Sequence, residues 1–564
     1  MVAHRIVSLR PRSTARATAQ RHRLAAVPRR DRAVLLRRHQ HHLRLTGRRG
    51  PRSDHSALGG VVQRVLHAGP DTAERHLPVQ DRAIRLERAV RLLPAVRDVL
   101  GLVLRDVLRD PQVVAPARRR ARGAGGRVSA ARAAIVGAGL AGLTAGYRLQ
   151  AAGWHVDIFE ATNSPGGRVQ TVRRDGYAID TGASALGSTY HGYLALAREL
   201  GVEMRSTAPY IGIRRAGATH LLDMDKMVRS GLTTPLLSLG AKLRVPRLAI
   251  DVAMAKARGR LDYADMRKAA PLDTESARAY AHRALSAELD SYLCEPIVRT
   301  MLIADTDKVS KVELLSGIGN IFTAKILAAA GGQGRVPEAL AERLKVHLQT
   351  PVLEVRRTEN GVSVRHSGTT SEYDACVVTC PLPEATAICV DDRGILGQLD
   401  NSLGYTQCIS VAVATTRPPD CPAFLLMFPS VEDPDIALMF LDHNKAPDRA
   451  PAGHGLLSCL WETDASQRMI DAPDEQLVAH TLRTVFDVFP ELRNTIEFTH
   501  VTRWRRALPF TRIGAYQDIG RLNAGLDPAS PVQYAADFMS AAGQNTAVEF
   551  GNRAARNVIG ARAS

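Results

Sequence analysis

The sequence predicts an α/β fold in which a domain built on a parallel sheet is interrupted twice by a second, α+β domain. Three observations support this prediction. A strand, a glycine turn and a helix follow one another from Ala133, and a mostly helical stretch then separates this unit from further strands after residue 331. The chain ends on a helix that would return to the first domain. Because the chain leaves the first domain twice and returns, each domain is built from separate segments, and no single boundary along the sequence divides the two.

The first domain begins with a turn of three glycines between a strand and a helix. Ala133–Val136 is a short apolar run typical of a buried strand, and a helical pattern begins at residue 143. Gly137 allows the tight turn, Gly139 lets the backbone approach a diphosphate, and Gly142 lets the helix pack closely on the strand. The positive end of the helix favours the negative charge of the diphosphate.

A second strand ends on an acidic residue at the spacing that ribose recognition requires. This strand is 155–159, and Glu160 lies 23 residues after Gly137. A carboxylate at this place accepts hydrogen bonds from both ribose hydroxyls. A bare GxGxxG would be weak evidence, because glycine turns also serve packing alone. With a strand, a helix, a second strand and an acid around it, the turn predicts a Rossmann-like nucleotide-binding domain.

The motifs around the turn resemble the start of the superfamily of flavin amine oxidases, protoporphyrinogen oxidases and phytoene desaturases. They are GAGLAGLTAGYRL from Gly137, FEATNSPGGR from Phe159 and DGYAIDTGAS from Asp175. The resemblance implies a Rossmann-like FAD-binding domain, a discontinuous α+β substrate-binding domain, and FAD as the cofactor. It also implies the following FAD-binding residues: Gly137, Ala138, Gly139, Gly142, Glu160, Ala161, Gly167, Arg168, Gly182, Ala183, Ser184, Val352, Asp537, Thr546 and Ala547.

The resemblance also gives several of these residues a role. Arg168 would lie near the diphosphate, where a guanidinium can form two parallel hydrogen bonds to phosphate oxygens. The loop 182–184 would reach the isoalloxazine edge, although a plain turn is the alternative. Val352 would read the adenine edge through its backbone. Asp537 would contact the ribityl chain or the diphosphate, although Ala536 replaces the usual glycine before it.

The C-terminal helix has a predicted role of its own. It starts near Asn545, and the resemblance directs its N-terminus at flavin N1 and O2. A helix N-terminus there stabilises the negative charge that the ring gains on accepting a hydride. The alternative is a helix that only docks the C-terminus, and both roles are compatible.

These patterns predict the domain boundaries. We expect the FAD-binding domain to comprise residues 128–203, 331–394 and 504–564. The substrate-binding domain would comprise a helical part, 204–330, and a sheet part, 395–503.

Residues 1–127 differ sharply in composition from the rest of the chain. They contain 29 Arg, no Lys, Cys, aromatic residue or Asn, and nine acidic residues, so they carry +20, whereas the remainder carries −1. An Arg-rich arm for nucleic acid or an anionic surface and an organelle transit peptide are two interpretations. We favour a third, in which this segment is disordered or is mistranslated upstream DNA and the protein begins near Val128. An intact mass of the natively expressed protein that includes the segment would contradict this.

Composition also bears on compartment and partners. No run of about 18 apolar residues appears, which argues against a transmembrane span. Seven Cys without a CxxC pair favour a reduced, cytoplasmic protein, and the scattered His residues predict no metal site. We expect no nucleic-acid partner. Segment 226–260 mixes apolar and basic residues, as a peripheral membrane contact does, but helices covering a pocket are the favoured interpretation.

The reaction is inferred from what the family motifs lack here. Amine oxidases have a Lys near flavin N5, and the comparable stretch LGYTQCISVAV offers Gln407. The final motif ADFMSAAGQNTAVEFG also lacks the aromatic residue that cages an amine and the Cys that attaches flavin covalently, so FAD should be bound non-covalently. Flavin itself does the redox chemistry, so no catalytic residue is assigned. Gln407 is the one candidate near N5, with an ordinary strand-edge glutamine as the alternative.

The sequence therefore predicts an FAD-dependent oxidoreductase that removes hydride from a hydrophobic small molecule. It places the protein closer to the protoporphyrinogen oxidase and desaturase branch than to the amine oxidases. A flavin amine oxidase is the first alternative, and a non-redox FAD-binding protein or an isomerase is the second. The electron acceptor is unknown at this point.

Overall fold

The computed structural model describes residues 130–262, 266–321 and 325–563. The predictions made for segment 1–127 lie outside the described residues. The strands are β1 Arg132–Val136, β2 His155–Phe159, β3 Thr171–Arg174, β4 Tyr177–Asp180, β5 Leu186–Gly187, β6 Met204–Ser206, β7 Tyr210–Arg215, β8 Ala218–Asp223, β9 Ile326–Ala329, β10 Val346–His347, β11 Val352–Thr358, β12 Gly361–His366, β13 Thr369–Tyr373, β14 Ala375–Val378, β15 Leu403–Tyr405, β16 Cys408–Thr415, β17 Ala423–Met427, β18 Ile436–Leu441, β19 Gly455–Trp461, β20 Ile496–Trp504, β21 Pro509–Thr511 and β22 Val532–Tyr534.

Helices occupy most of the intervening chain, joined by short 3-10 turns. They are α1 Leu140–Ala151, α2 His191–Glu199, α3 Met227–Thr233, α4 Leu239–Lys242, α5 Val245–Ala257, α6 Ala277–Ala284, α7 Ala287–Leu289, α8 Glu295–Leu302, α9 Lys311–Ile321, α10 Arg335–Ala341, α11 Leu382–Ile388, α12 Arg393–Leu396, α13 Asp442–Lys445, α14 Thr463–Met469, α15 Asp474–Val488, α16 Ala515–Gly525 and α17 Gln544–Ala563. No helix in the described part of the chain is both long and apolar enough to cross a bilayer.

A five-stranded parallel sheet forms the first layer, in the order β10-β2-β1-β14-β22. Strand β1 is central, and four of its five residues are buried because parallel sheets are covered on both faces. The five strands come from three distant parts of the chain. Their carboxyl ends lie at one edge, where open α/β sheets bind ligands.

The C-terminal helix α17 packs along α1, which follows β1. A side chain at Gly551 of α17 would contact the backbone oxygen of Ala141, so glycine permits this close approach. Arg148 Nε also donates to Asn552 Oδ1 at 3.0 Å. The two ends of the described chain therefore meet, as the resemblance implied.

A seven-stranded mixed sheet forms the second body, in the order β20-β16-β19-β18-β17-β7-β8. Its strands β16 and β18 are buried along their whole length, because α15 packs on one face and the helices from α3 to α9 on the other. Strands β7 and β8, which lie within the part predicted as helical, pair with this sheet through β17. The α/β fold class with an additional α+β body is confirmed. The domain boundaries stay a prediction.

Helix α1 begins three residues earlier than the sequence pattern indicated. Gly139 is its N-cap and Leu140 its first residue, so Gly142 lies inside the first turn. The apolar periodicity that marks a helix is masked there by glycine, which explains the shift.

Candidate cofactor site

The three glycines of the turn differ in the space around them. A side chain would have room at Gly139 but would lie too close to neighbouring atoms at Gly137 and Gly142. Gly137 has a φ of +99°, and its N–H donates to Phe159 O at 2.8 Å. A side chain at Gly142 would overlap the carbonyl oxygen of Gly137 and lie 2.8 Å from Thr379 Oγ1. A side chain at Gly139 would meet nothing within 4 Å. Because no side chain caps α1, the N–H groups of its first turn point into this open space.

The Glu160 carboxylate is held against the turn. Its Oε2 accepts from the N–H of Ala138 at 2.8 Å, and its Oε1 accepts from the N–H and the hydroxyl of Thr162 at 2.9 and 2.8 Å. Glu160 is buried, whereas Ala161, the next residue, is exposed. The carboxylate is therefore fixed at the carboxyl end of β2, the position that ribose recognition requires.

The loop with the paired glycines lies directly on the turn. Gly166 donates its N–H to Ala138 O at 2.8 Å, and a side chain at Gly167 would lie 3.2 Å from Gly139 Cα. Gly166 and Gly167 both have positive φ, at +108° and +57°. The loop therefore presents Arg168 beside the N-terminus of α1.

Arg168 and Asp537 form an ion pair across 369 residues of sequence. Arg168 Nη2 lies 2.5 Å from Asp537 Oδ2, and the Asp537 Oδ1 accepts from the Tyr405 hydroxyl at 2.9 Å. Burial lowers the pKa of the Arg168 guanidinium, but the Asp537 carboxylate raises it by more. Burial and the same carboxylate raise the pKa of Tyr405. Arg168 therefore stays a cation, and Tyr405 stays a neutral donor. The sequence analysis did not identify Tyr405, since nothing local marks it.

The loop 182–184 packs on the backbone of Arg168. Ala183 donates its N–H to Arg168 O at 3.0 Å, and a side chain at Gly182 would overlap the same oxygen, so only glycine fits there. Ser184 Oγ donates to Gly182 O at 3.3 Å. From the second sheet, the indole of Trp504 donates to Thr181 O at 2.7 Å. The loop thus lies between the two bodies of the fold.

A buried charge cluster anchors Asp180, two residues before this loop. Asp180 Oδ2 lies 3.0 Å from Lys445 Nζ and 3.4 Å from Arg449 Nε, and both cations are fully buried. Asp180 Oδ1 accepts from Thr171 Oγ1 at 2.7 Å and from Gln333 N at 2.8 Å. Burial raises the pKa of Asp180, but Lys445 and Arg449 lower it by more, so the carboxylate is ionised. The sequence analysis did not identify Lys445 and Arg449, because the polar segment 442–449 contains no motif that marks them as buried.

The start of α17 lies beside the other end of the loop. Gln544 Nε2 donates to Ala185 O at 3.0 Å, and Asn545 Oδ1 accepts from the N–H of Tyr193 at 3.0 Å. Thr546 is buried, and Ala547 donates its N–H to Gly543 O at 3.1 Å, which closes the first turn. The helix N-terminus and the loop 182–184 are therefore neighbours.

Two predicted residues are less directly connected to this group. Val352 is the first residue of β11 and pairs with His366. Two residues before it, Thr350 donates its N–H to the backbone oxygen of Glu160 at 2.8 Å, so β11 starts near Glu160. Gln407 donates its N–H to Thr463 Oγ1 at 2.9 Å. Its side-chain oxygen is shielded from solvent and has no hydrogen-bond partner within the described chain.

These residues suit FAD. The open face at Gly139, the uncapped start of α1 and the fixed Glu160 carboxylate provide an anion site next to a ribose site. The fold and this site define an FAD-dependent oxidoreductase with a Rossmann-like cofactor domain. The profile of the flavin-containing amine oxidoreductase family matches residues 140–559, and the chain belongs to that family.

Two curated relatives align along most of their length. The chain is 23% identical over 452 residues to coproporphyrinogen III oxidase of Bacillus subtilis (strain 168), an alignment that covers 71% of this chain and 92% of the relative. It is 25% identical over 448 residues to the chloroplastic/mitochondrial protoporphyrinogen oxidase 2 of Arabidopsis thaliana, covering 68% and 84%. The fold is similar to that of cyclohexylamine oxidase from Brevibacterium oxydans, with a TM-score of 0.62 at 19% identity over 77% of this chain and all of that one.

Proposed function

We propose that this oxidoreductase removes hydride from a porphyrinogen or a similarly hydrophobic small molecule. The observation that carries the proposal is the similarity to coproporphyrinogen III oxidase, which extends over 92% of that enzyme and thus includes its substrate-binding parts. Gln407 supports it, because the resemblance would place a Lys there in an amine oxidase.

The fifteen residues predicted from the sequence would hold FAD in three groups. Gly137, Ala138, Gly139, Gly142, Gly167 and Arg168 would surround the diphosphate, Glu160, Ala161 and Val352 the adenosine, and Gly182, Ala183, Ser184, Asp537, Thr546 and Ala547 the ribityl chain and the ring. Bound FAD supplies the hydride acceptor. The chain binds and orients it non-covalently, and the dipole of α17 favours negative charge at its N-terminus.

The apolar interior next to this site suits a hydrophobic substrate. One cluster of buried side chains continues from Leu248 of α5 through Ile297 of α8 to Cys408 and Ala507, and Trp504 packs against it. A hydrophobic substrate bound beside this cluster would leave water for an apolar environment. Peripheral contact with a membrane belongs to the same proposal, because such a substrate partitions into lipid.

Anaerobic titration of the bound flavin tests the substrate class. Coproporphyrinogen III and protoporphyrinogen IX should bleach the flavin absorbance in a stoichiometric titration, whereas putrescine and a polyene should not. Photoreduction of the same sample is the control, since it establishes that the flavin can be reduced. A flavin that photoreduces normally but responds to none of these compounds would contradict the proposal.

An amine oxidase is the second candidate, favoured by the fold of cyclohexylamine oxidase. Bleaching by putrescine or cyclohexylamine, with no response to either porphyrinogen, would establish it instead. The substitution Gln407→Lys gives a further comparison, because a Lys should confer no amine response if the surrounding pocket is shaped for another substrate.

A further inference from the structure

The helices α3 to α5 carry an unusual share of the exposed apolar side chains. Eleven large hydrophobic side chains are exposed among the described residues, and seven of them lie between residues 221 and 254. Val228 and Leu243 are the most exposed, at 76% and 67%. Single exposed apolar residues are normal, but a concentration of them marks a surface that contacts something apolar.

Each of these three helical segments presents an exposed pair of apolar residues four positions apart. The pairs are Val228 and Leu232, Leu239 and Leu243, and Ile250 and Met254. Residues four apart lie on one face of a helix. The other sides face the apolar cluster of the second body, in which Ala241 of α4 and Leu248 and Val252 of α5 are buried and against which Met227 of α3 packs half-buried.

The segments are also joined to one another and to the sheet. Lys242 Nζ of α4 donates to Leu232 O and Thr234 O, at 2.9 and 2.6 Å, at the end of α3. Ser230 Oγ accepts from the N–H of Asp223 at 2.9 Å, which fixes α3 to the end of β8. These bonds therefore hold α3 and α4, with their exposed pairs, next to each other and to β8.

Basic residues outnumber acidic residues in the segment that carries the apolar pairs. Residues 221–260 contain eight Lys and Arg against three Asp, whereas the 437 residues after position 127 carry a net charge of −1. Lys226 and Arg247 have acidic partners, Asp223 and Asp251, at 3.4 and 2.9 Å.

Three arginines lack such partners. Arg229, Arg244 and Arg258 are exposed, and none has an acidic partner within the described part of the chain. Exposed guanidinium groups without partners attract anions, and Arg229 and Arg244 directly follow the exposed residues Val228 and Leu243.

We propose that α3 to α5, the apolar-basic surface of residues 228–258, bind the face of an anionic phospholipid membrane. Aliphatic residues at the surface insert into the boundary between headgroups and acyl chains, and neighbouring Lys and Arg pair with anionic headgroups. An acidic protein partner would satisfy the cations but not six exposed aliphatic side chains. A second copy of the chain would bring like charges together.

The purpose of this contact rests on the proposed hydrophobic substrate, but vesicle binding is measured without substrate. A failed porphyrinogen titration and a failed vesicle assay are therefore distinct results. The experiment uses the full FAD-loaded chain. Because residues 1–127 carry +20 and attract anionic vesicles themselves, the main substitutions leave the charge unchanged.

The first test is co-sedimentation with vesicles of phosphatidylglycerol and phosphatidylcholine. Val228→Asn/Leu243→Asn should lower the partition coefficient by about tenfold, because two exposed aliphatic groups no longer enter the lipid. Val431→Asn/Ile513→Asn, a matched change at exposed residues outside the surface, should bind like the parent chain. Equal partition of all three proteins would overturn the proposal.

The second test reads insertion directly. Leu243→Trp should show a blue-shifted emission on vesicle addition and quenching by brominated acyl chains, whereas Ile513→Trp should show neither. The shift should persist at about 1 M salt, where the Debye length is about 3 Å and long-range attraction by residues 1–127 is screened. Emission unchanged by lipid in both variants would contradict insertion.

Two further results would overturn the assignment. Arg229→Gln/Arg244→Gln should lower the ratio of partition into anionic vesicles to partition into pure phosphatidylcholine vesicles. An unchanged ratio would show that these arginines do not bind anionic headgroups. Light scattering without lipid gives the other readout. If Val228→Asn/Leu243→Asn converts a dimer to a monomer while vesicle binding is unaltered, the surface joins two copies of the chain.

Discussion

At the scale of single residues, Glu160 is the clearest case of a side chain that was predicted from its spacing in the sequence and is held in place by hydrogen bonds in the structure. Its carboxylate accepts three hydrogen bonds from the backbone and side chains around it, and they fix its direction. A hydrogen bond to a charged group contributes about 1.5–3 kcal/mol, more than a neutral one. The charge on Glu160 therefore matters as much as its shape.

The substitution Glu160→Gln should weaken FAD binding by roughly tenfold to a hundredfold, since a neutral amide replaces the carboxylate that receives the ribose hydroxyls. Fluorescence titration of the apoprotein with FAD measures the dissociation constant. Glu359→Gln, an exposed residue away from the site, is the control and should bind as the parent chain does. An unchanged dissociation constant for Glu160→Gln would remove this carboxylate from the site.

Lys445 shows how much one buried charge matters to the fold. Its Nζ lies 3.0 Å from Asp180 and 2.5 Å from Asp442, in complete burial. Lys445→Met should lower the free energy of unfolding by about 3–5 kcal/mol, because it removes the cation beside buried Asp442 and leaves Asp180 with Arg449 alone. Urea denaturation measures this. Lys345→Met breaks an exposed pair with Asp157 and should cost about 1 kcal/mol or less. Equal losses in the two variants would contradict the prediction.

Asp157 makes stability depend on acid pH. Burial raises the pKa of Asp157, but hydrogen bonds from Lys345 and His347 lower it, from 3.8 to about 2. Because the pKa is lower in the folded state, the carboxylate stabilises the fold above about pH 4, by about 1 kcal/mol since solvent screens the pair, and this contribution disappears as the pH falls toward 2. The difference in unfolding free energy between the parent and Asp157→Asn should therefore narrow from pH 6 to pH 2. A constant difference would argue against the shift.

At the scale of elements, two glycines of the turn between β1 and α1 have different structural roles. Gly142 serves packing, because a side chain there would overlap Gly137 O, whereas the space beyond Gly139 is open. The order of the glycines in the motif had already predicted this division, with Gly139 facing a diphosphate and Gly142 packing on the strand. The structure adds a second contact from a distant part of the chain, because Thr379, which follows β14, would lie 2.8 Å from a side chain at Gly142.

Gly142→Ala should destabilise the apoprotein by about 1–3 kcal/mol through overpacking. Gly139→Ala should leave its stability nearly unchanged but weaken FAD binding, because the added methyl group occupies the face that a diphosphate approaches. Thermal melting of the apoproteins and FAD titration separate the two effects. If Gly139→Ala melted as early as Gly142→Ala, the open face would be a packing position instead.

At the scale of the whole molecule, the site closes only when three distant parts of the chain meet. The Arg168–Asp537 pair and the packing of α17 on α1 join the first strand unit to the C-terminus. A ligand held by all three parts binds only the folded state and stabilises it by mass action.

FAD at a hundred times its dissociation constant should add about 2.7 kcal/mol to the free energy of unfolding. Scanning fluorimetry of the apoprotein with increasing FAD should show a rising Tm. Arg168→Ala should need more FAD for the same rise, because it removes the cation beside the diphosphate site. A Tm independent of FAD would exclude binding by these segments.

The sequence by itself determined the nucleotide-binding unit of this protein. Its strand, glycine turn, helix and acidic residue lie within 30 residues, so local periodicity and spacing reveal them. The sheet part at 395–503 was also predicted, because buried strands are mostly apolar. What the sequence could not reveal is which distant residues meet.

Only the tertiary structure paired Lys445 with Asp180, 265 residues away, and Arg168 with Asp537. Burial, not residue type, decides these contacts. Lys and Arg are expected at the surface from sequence, and they become buried only where the fold supplies a carboxylate to compensate their charge.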